Sequence, residues 1–415
     1  MNNHKKITGL LPTREAPAPH ELIFPLLQHT GRPAQPIVNV GDLVKVGQRI
    51  AEATGSISAN IHSSVSGLVT AIEPAPYSSG VDMMSIRIEN DHKYFKVPMA
   101  THTRPIKETP KEFLLKRIEE AGIVGLGGEM IPTHIKLRPP KPITELVING
   151  AECEPYLSAD HRVMVEMTKA VFIGIEVAMC ILEPQTVMIG IEDHMIDAMI
   201  TMRNYALKYK NVKVIHLPTL YPQGAERVLV RELTQKRIRQ LPIEANVVVL
   251  NVSTCAAIGQ AILNGMPLIS RVITLSGSQL EKSYNYRVRL GTPIKTLLPE
   301  LSPDRAHKLG DLRVLMGGPM MGIAQYSLEV PIIKGTTGVL VLEHTNYEPQ
   351  KCIRCGRCID HCPVFVMPII AAEQGIQASE CMECGLCSYH CPSRIPLVEK
   401  IRLKKIEQQM CTINP

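Results

Sequence analysis

Apolar residues along the chain follow three rhythms. In "PIVNVGDLVKVGQRIAEA" (36–53) and "ANIHSSVSGLVTAIEPA" (59–75) they alternate with polar residues around isolated glycines, the period of half-buried strands broken by turns. "ELVING" (145–150), "TVMIGIE" (186–192) and "VKVIHLP" (212–218) are short β-branched runs, the pattern of strands buried on both faces of a parallel sheet. Between them, "RVMVEMTKAVFIGIEVAMCIL" and "DHMIDAMITMRNYALKYK" carry apolar residues at helical spacing, and Pro184 stops the first. Strands alternating with helices predict an open parallel sheet with right-handed crossovers. From "RVITLSGSQ" through "YRVRLGTPIKTLLPEL" to "LRVLMGGPMMG", short strands and glycine turns return. The last helix, "PLVEKIRLKKIEQQM", gathers Leu397, Val398, Ile401 and Ile406 on one face and basic residues on the other, solvated one.

These rhythms divide the 415 residues into several units, as expected for a chain of this length. Residues 1–35, rich in proline and polar residues, read as an extended lead-in. A small β module spans 36–95, a Rossmann-like α/β domain 110–265, a β-rich domain 266–335 and a cysteine-dominated end 345–415. The two halves of the first module resemble a biotinyl/lipoyl-type barrel-sandwich, but the stretch between them, "TGSIS" (54–58), lacks the lysine of a swinging arm. A structural or docking module follows. The formal charge of +6, with 45 Lys and Arg scattered among 39 Asp and Glu, argues against nucleic acid as a partner. The N-terminus lacks the apolar core of a secretory signal. The longest apolar stretch, 170–182, is interrupted by Glu176 and is too short to span a bilayer. The expectation is a soluble, cytoplasmic chain that meets a membrane only through a partner.

Eight of the twelve cysteines lie between 352 and 391, in "CIRCGRCIDHCP" and "CMECGLCSYHCP". Both runs are C-x2-C-x2-C-x3-C-P, the pattern of two-cluster ferredoxins in which the fourth cysteine crosses to the other cluster. Three thiolates on a tight loop wrap three corners of a cubane, and Pro363 and Pro392 turn the chain away before it continues. The crossover rule predicts one [4Fe-4S] cluster on Cys352, Cys355, Cys358 and Cys391, and a second on Cys381, Cys384, Cys387 and Cys362. Gly356 and Gly385 keep the loops compact, with backbone N–H groups free for the sulfides. Zinc in a docking scaffold is the alternative, since four thiolates also suit a tetrahedral ion, although structural zinc sites use two separated C-x2-C pairs. Cys153, Cys180, Cys255 and Cys411 have no cluster spacing and read as small core or loop residues. His134, His161, His361 and His390 read as neighbours of the sites rather than ligands.

The ordered motifs "PLLQHTGRPAQPIVNVGDLVKVGQ", "GIVGLGGEMIPTHIKL", "INGAECEPYLSADHRVM", "YPQGAERVLV", "GGPMMG" and the two cysteine runs cover nearly the whole chain and resemble the C subunit of the Rnf (Rsx) electron-transport complex. The resemblance implies a peripheral subunit on the cytoplasmic side of a membrane complex that couples electron transfer between NADH and ferredoxin to ion translocation. Its partners would be the other subunits of that complex and ferredoxin or another redox protein. It implies a barrel-sandwich module, a flavin-type α/β domain, a β-grasp domain and a two-cluster ferredoxin-like end. It also implies flavin mononucleotide (FMN), with NADH stacked over it, at Gly127, Gly128, Lys136, Asn149, Glu152 and Thr254; Tyr221, Gly224, Glu226 and Asn251 match further flavin-loop positions. The family's loop typically reads Gly-Gly-Ala-Gly-Phe-Pro-Thr, whereas this chain has Glu129, Met130 and Ile131 after its paired glycines. A bulky residue replaces one that lets backbone approach a ligand, and a carboxylate replaces a neutral side chain near an anionic phosphate. On the residues alone, the glycines with Pro132 make a turn. A second reading is therefore a soluble adaptor that feeds another reductase and has lost NADH and FMN chemistry. Glu152, Glu154, Asp160 and Asp193 receive no catalytic proton role, because hydride chemistry belongs to the cofactor.

Overall fold

The computed structural model describes residues 3–298, 312–344 and 347–413. Residues 299–311 of the expected β-rich domain, and the side chain of Cys411, lie outside the described set.

The chain begins with helix α1 (Asn3–Leu10) and then strand β1 (Glu21–Pro25), which pairs antiparallel with β3 (Asp82–Asn90); β3 in turn pairs with β2 (Gly67–Pro76). Residues 3–25 are thus not an extended lead-in. Leu22, Ile23 and Phe24 are fully buried, a three-residue apolar run that the surrounding prolines and polar residues mask in an average of composition. A second, three-stranded sheet of Gln35–Pro36, Arg49–Glu52 and Ile61–His62 completes the module. Its core joins Leu22 and Phe24 to Val38, Val44, Ile50, Ile61, Val69, Ile86 and Ile88.

After α2 (Lys111–Glu120) and the short α3 (Thr133–Lys136) comes the α/β unit: β4 (Glu145–Gly150), α4 (Ala159–Glu166), α5 (Thr168–Leu182), β5 (Thr186–Glu192), α6 (Ile196–Ala206), β6 (Val212–Leu217), α7 (Glu226–Thr234), β7 (Val247–Asn251) and α8 (Val252–Asn264). The strands are all parallel, in the order β6-β5-β4-β7. Leu146 and Ile148 face a core with α5 and α8, while Val147 faces Leu229, Val230 and Leu233 of α7. Burial on both faces is why β4 and β5 read as continuous apolar runs, whereas β6, at the sheet edge, is buried only at Val212 and Leu217. The periodic stretch 162–182 is not one helix. It divides at Met167, where the Thr168 hydroxyl donates to the carbonyls of Met164 and Val165 and competes with the helical ladder. Helices α5 and α8 cross backbone against backbone at Gly174 and Gly259.

A mixed six-stranded sheet follows, in the order Arg14–Glu15, β9 (Tyr284–Arg289), β8 (Ser270–Ser276), β11 (Gly338–Glu343), β10 (Leu312–Met316), Ile323–Ala324. The C-terminal end contains α9 (Arg357–Asp360), α10 (Pro368–Gln374), α11 (Leu386–Tyr389) and α12 (Leu397–Ile413). Its core holds Val366, Ala371, Ile395, Leu397 and Ile401, while Ile406 is 52% exposed, so among the described side chains of α12 the buried ones lie in its first turns. No helix among the described residues is long and apolar enough to cross a membrane.

Candidate cluster and cofactor sites

The two cysteine runs fold as a repeat. Arg354, Gly356 and Phe365 in the first, and Glu383, Gly385 and Arg394 in the second, all have positive φ at matching positions. The left-handed residue between the first two cysteines and the glycine after the second coil each run into a cup. His361 and His390, each just before the fourth cysteine, stack with ring centroids 3.5 Å apart, where the two halves meet.

Cys362, the fourth cysteine of the first run, lies beside the cysteines of the second. Cys362, Cys381, Cys384 and Cys387 line one cavity, with Pro363, Val364, Val366, Met382, Leu386 and Val398 as apolar walls. Cys384 and Cys387 are buried. Burial, reinforced by the neighbouring thiols, pushes Cys387 up to about 12 and Cys384 to about 11. Four crowded thiol groups in an apolar pocket are satisfied by a cationic iron centre that takes them as thiolates. Backbone N–H groups already point at the sulfurs: Val366 to Cys362 and Glu383 to Cys381, both at 3.3 Å. In the other set, Cys352 and Cys355 are exposed, and the Cys358 thiol is raised by burial and then by Cys391 and Cys352 nearby. Among the described residues, no three His, Cys, Asp or Glu side chains gather closely enough to hold a single metal ion.

The buried set sits against the rest of the molecule. Tyr221 donates its hydroxyl to the Cys384 carbonyl at 2.6 Å, Arg227 donates to the Glu380 carbonyl, and a Cβ at Gly385 would lie 2.5 Å from the Met320 carbonyl oxygen. Glu154 fixes that turn by accepting from the Met320 and Met321 amides. On α12, Lys405 and Arg402 hold Glu383 beside Cys381.

Strand order reverses between β4 and β7, and the crevice beyond their carboxyl ends is where open α/β sheets bind ligands. The loop 125–131 lies over it. Its Leu126 amide donates to Thr254 Oγ1 at 2.9 Å, and a Cβ at Gly127 would lie 3.3 Å from Asn251. Gly128 has open space around it. Asn149 donates to the Gly224 carbonyl and accepts from the Ala151 amide. Thus Gly127, Gly128, Lys136, Asn149 and Thr254 border one region, together with Glu226. The Glu152 carboxylate is used elsewhere, accepting the Asp160 and His161 amides at the start of α4. Burial and the nearby Asp160 push it up to about 8.

Lys136 is already occupied. Its ammonium donates to both oxygens of Glu129, at 2.8 and 2.7 Å, and to Glu226 at 2.7 Å. Burial pulls this lysine down, but the two carboxylates hold it above the ordinary lysine range. Burial lifts Glu129 to about 7, with Glu226 adding to the rise and Lys136 opposing it. Four contributors to the region carry no sequence signal. Thr30, from the first module, binds the Glu129 and Met130 carbonyls; Lys5 of α1 donates to the Glu152 and Glu154 carbonyls; Arg271 donates to Leu126; and Lys334 donates to Asn60 and Gly122. Each is a lone polar residue that only the tertiary fold brings to its partners.

Three family models match the chain: the RnfC barrel sandwich hybrid domain at residues 1–93, the Nuo51 FMN-binding domain at 118–260 and a 4Fe-4S dicluster domain at 344–392. The first reaches back across 1–35, in line with the buried strand β1. The chain is 41% identical, over 88% of its length and 81% of the relative's, to the C subunit of the proton-translocating ferredoxin:NAD(+) oxidoreductase complex of Clostridium ljungdahlii. It is 36% identical, over 89% and 84%, to the C subunit of the Na(+)-translocating ferredoxin:NAD(+) oxidoreductase complex of Acetobacterium woodii. Against the C subunit of the ion-translocating oxidoreductase complex of Pseudomonas aeruginosa it is 41% identical, over 88% of this chain and 48% of that one.

Proposed function

The chain belongs to the RnfC family, and from that premise we propose that it is the electron-transfer subunit of an Rnf-type membrane complex, moving electrons through two [4Fe-4S] clusters in an assembly that couples NADH/ferredoxin electron transfer to ion translocation. The observation that carries this reading is the cavity shared by Cys362, Cys381, Cys384 and Cys387. Bound there and on Cys352, Cys355, Cys358 and Cys391, the clusters supply one-electron carriers close enough to form a wire. The protein's part is to supply thiolates, exclude water with Val364, Val366 and Leu386, and donate backbone N–H groups to sulfur. The exposed set faces outward and is the one a redox partner reaches first. The buried set abuts Tyr221 and the α/β domain.

In this reading the α/β domain over 110–265 is Rossmann-like and flavin-type, the β-rich unit expected over 266–335 is a β-grasp domain whose sheet extends through β11 at Gly338–Glu343, and residues 345–415 form the ferredoxin-like end. The β module, β1 included, docks the chain onto other subunits at the cytoplasmic face of the membrane, with ferredoxin or another redox protein as electron partner. Gly127, Gly128, Asn149 and Thr254 border a crevice of the kind that takes FMN. As they stand, however, Lys136, Glu129 and Glu226 do not fit its phosphate, and no electron step is routed through it. The clasp on Lys136 favours the reading in which NADH and FMN chemistry has been lost.

Substituting Cys362 by Ser in anaerobically purified protein tests the ligand sets. If Cys362 crosses over, the variant alters the spectrum of the cluster held by the second run, as C381S does, and leaves that of the first run intact. Damage to the first-run cluster instead would contradict the assignment.

A further inference from the structure

The crevice at the strand-order reversal is built on the plan of an FMN-binding domain, yet the cation beside its glycine loop is already paired. A flavin mononucleotide brings a phosphate dianion, which calls for a free cation or open backbone amides. Lys136 is saturated by Glu129 and Glu226. Two further cations near the loop are committed to backbone carbonyls, Arg271 to Leu126 and Lys334 to Asn60 and Gly122. Two carboxylates against one ammonium leave the spot negative when all three are ionised, so an arriving phosphate meets repulsion.

The clasp is also anchored. The side chain of Glu129 folds back over Gly125, where an added Cβ would lie 2.4 Å from it. Thr30 takes hold of the carbonyls of Glu129 and Met130 at 2.9 Å each. Met130 sits at φ 54° with its side chain packed against Gly335, so close that a Cβ there would lie 2.4 Å from its sulfur. Glu129 and Met130 thus act together: one supplies the charge that a phosphate would have supplied, and the other pins the loop so that the charge stays on Lys136.

We propose that Glu129 serves as an internal stand-in for the cofactor phosphate on Lys136, closing the crevice so that this chain folds and works without flavin mononucleotide. Reducing equivalents then arrive singly from a protein redox partner rather than as hydride from a nicotinamide. The inference stands apart from the cluster assignment: flavin in the purified chain would overturn it and leave the iron–sulfur reading untouched.

The test uses the full chain purified anaerobically with its metal content measured. Acid-released flavin is quantified first, and FMN is then titrated by quenching of its fluorescence, with riboflavin as the probe that lacks a phosphate. The wild type is expected to carry far less than one flavin per chain and to bind FMN no better than riboflavin. Glu129→Ala is expected to tighten FMN by about tenfold or more without changing riboflavin, and Lys136→Met added to it abolishes the gain. Glu129→Gln, of the same shape without the charge, gives the same direction if the alanine variant loses metal. Stoichiometric flavin in the wild type, or no gain in a variant of unchanged metal content, overturns the proposal.

Discussion

At the scale of single residues, Glu192 is a buried carboxyl group that ionisation would leave without a partner. It is fully buried at the carboxyl end of β5, and neither carboxylate oxygen has a hydrogen-bond partner. His194 Nδ1 is 3.3 Å away, but burial depresses that histidine to about 4, so it is neutral and offers no counter-charge. Burial lifts Glu192 to about 7, with Lys5 opposing. The folded state therefore holds a proton that the unfolded chain releases from about pH 4.5, and stability falls as pH rises between there and 7. Glu192→Gln removes this penalty. The variant should match wild type in urea unfolding near pH 4.5 and exceed it by on the order of 2 kcal/mol at pH 8. Equal stability at pH 8 would contradict the assignment. Nothing local in "TVMIGIEDH" announces the burial: a glutamate ending a strand reads as a surface residue. Lys334 is likewise indistinguishable in sequence from any other lysine, yet it is fully buried and burial lowers it to about 7. Such roles depend on neighbours hundreds of positions away.

At the scale of elements, the α5–α8 crossing sets the position of the whole α/β core. A Cβ on Gly259 would lie 2.0 Å from the Ala170 carbonyl oxygen, and one on Gly174 1.9 Å from that of Cys255. Alanine for glycine stabilises an unhindered helix by about 1 kcal/mol. Gly259→Ala should instead destabilise by about 2 kcal/mol, because the helices must separate, and its urea midpoint should fall. A rise would mean that the crossing relaxes freely. The strands β4 and β5 were legible because two-faced burial leaves β-branched runs; β6, expected to be buried on both faces, is instead an edge strand buried only at its two ends. Helix α8 was harder to see: "VSTCAAIGQAILN" is buried almost all round, so no polar face marks its period. The cysteine cups were legible, because cluster geometry fixes the spacing at which the backbone turns; the crossing of Cys362 is the proposal that C362S tests. The clasp on Lys136 was half legible. Glu129 stood out as foreign to a phosphate loop, but its partner was visible only once α3 and α7 were brought together.

At the scale of the whole molecule, the chain is a conduit with one open end. The exposed cysteines 352 and 355 lie at the outside, the buried set meets Tyr221, Arg227 and the turn held by Glu154, and beyond them stands an α/β domain whose cofactor crevice is closed by its own residues. The order of units was readable from motif order alone. Their contacts were not, since Thr30 on the loop, Lys5 on the Glu152 and Glu154 carbonyls and Tyr221 against Cys384 each join residues far apart in sequence. Whether the two cysteine runs carry electrons on iron–sulfur clusters is decided by metal and acid-labile sulfide analysis of the anaerobically purified chain, with its visible spectrum before and after dithionite. Two [4Fe-4S] clusters require about eight irons and about eight sulfides per chain, with absorbance that bleaches on reduction; zinc without sulfide, and a spectrum indifferent to dithionite, would contradict them.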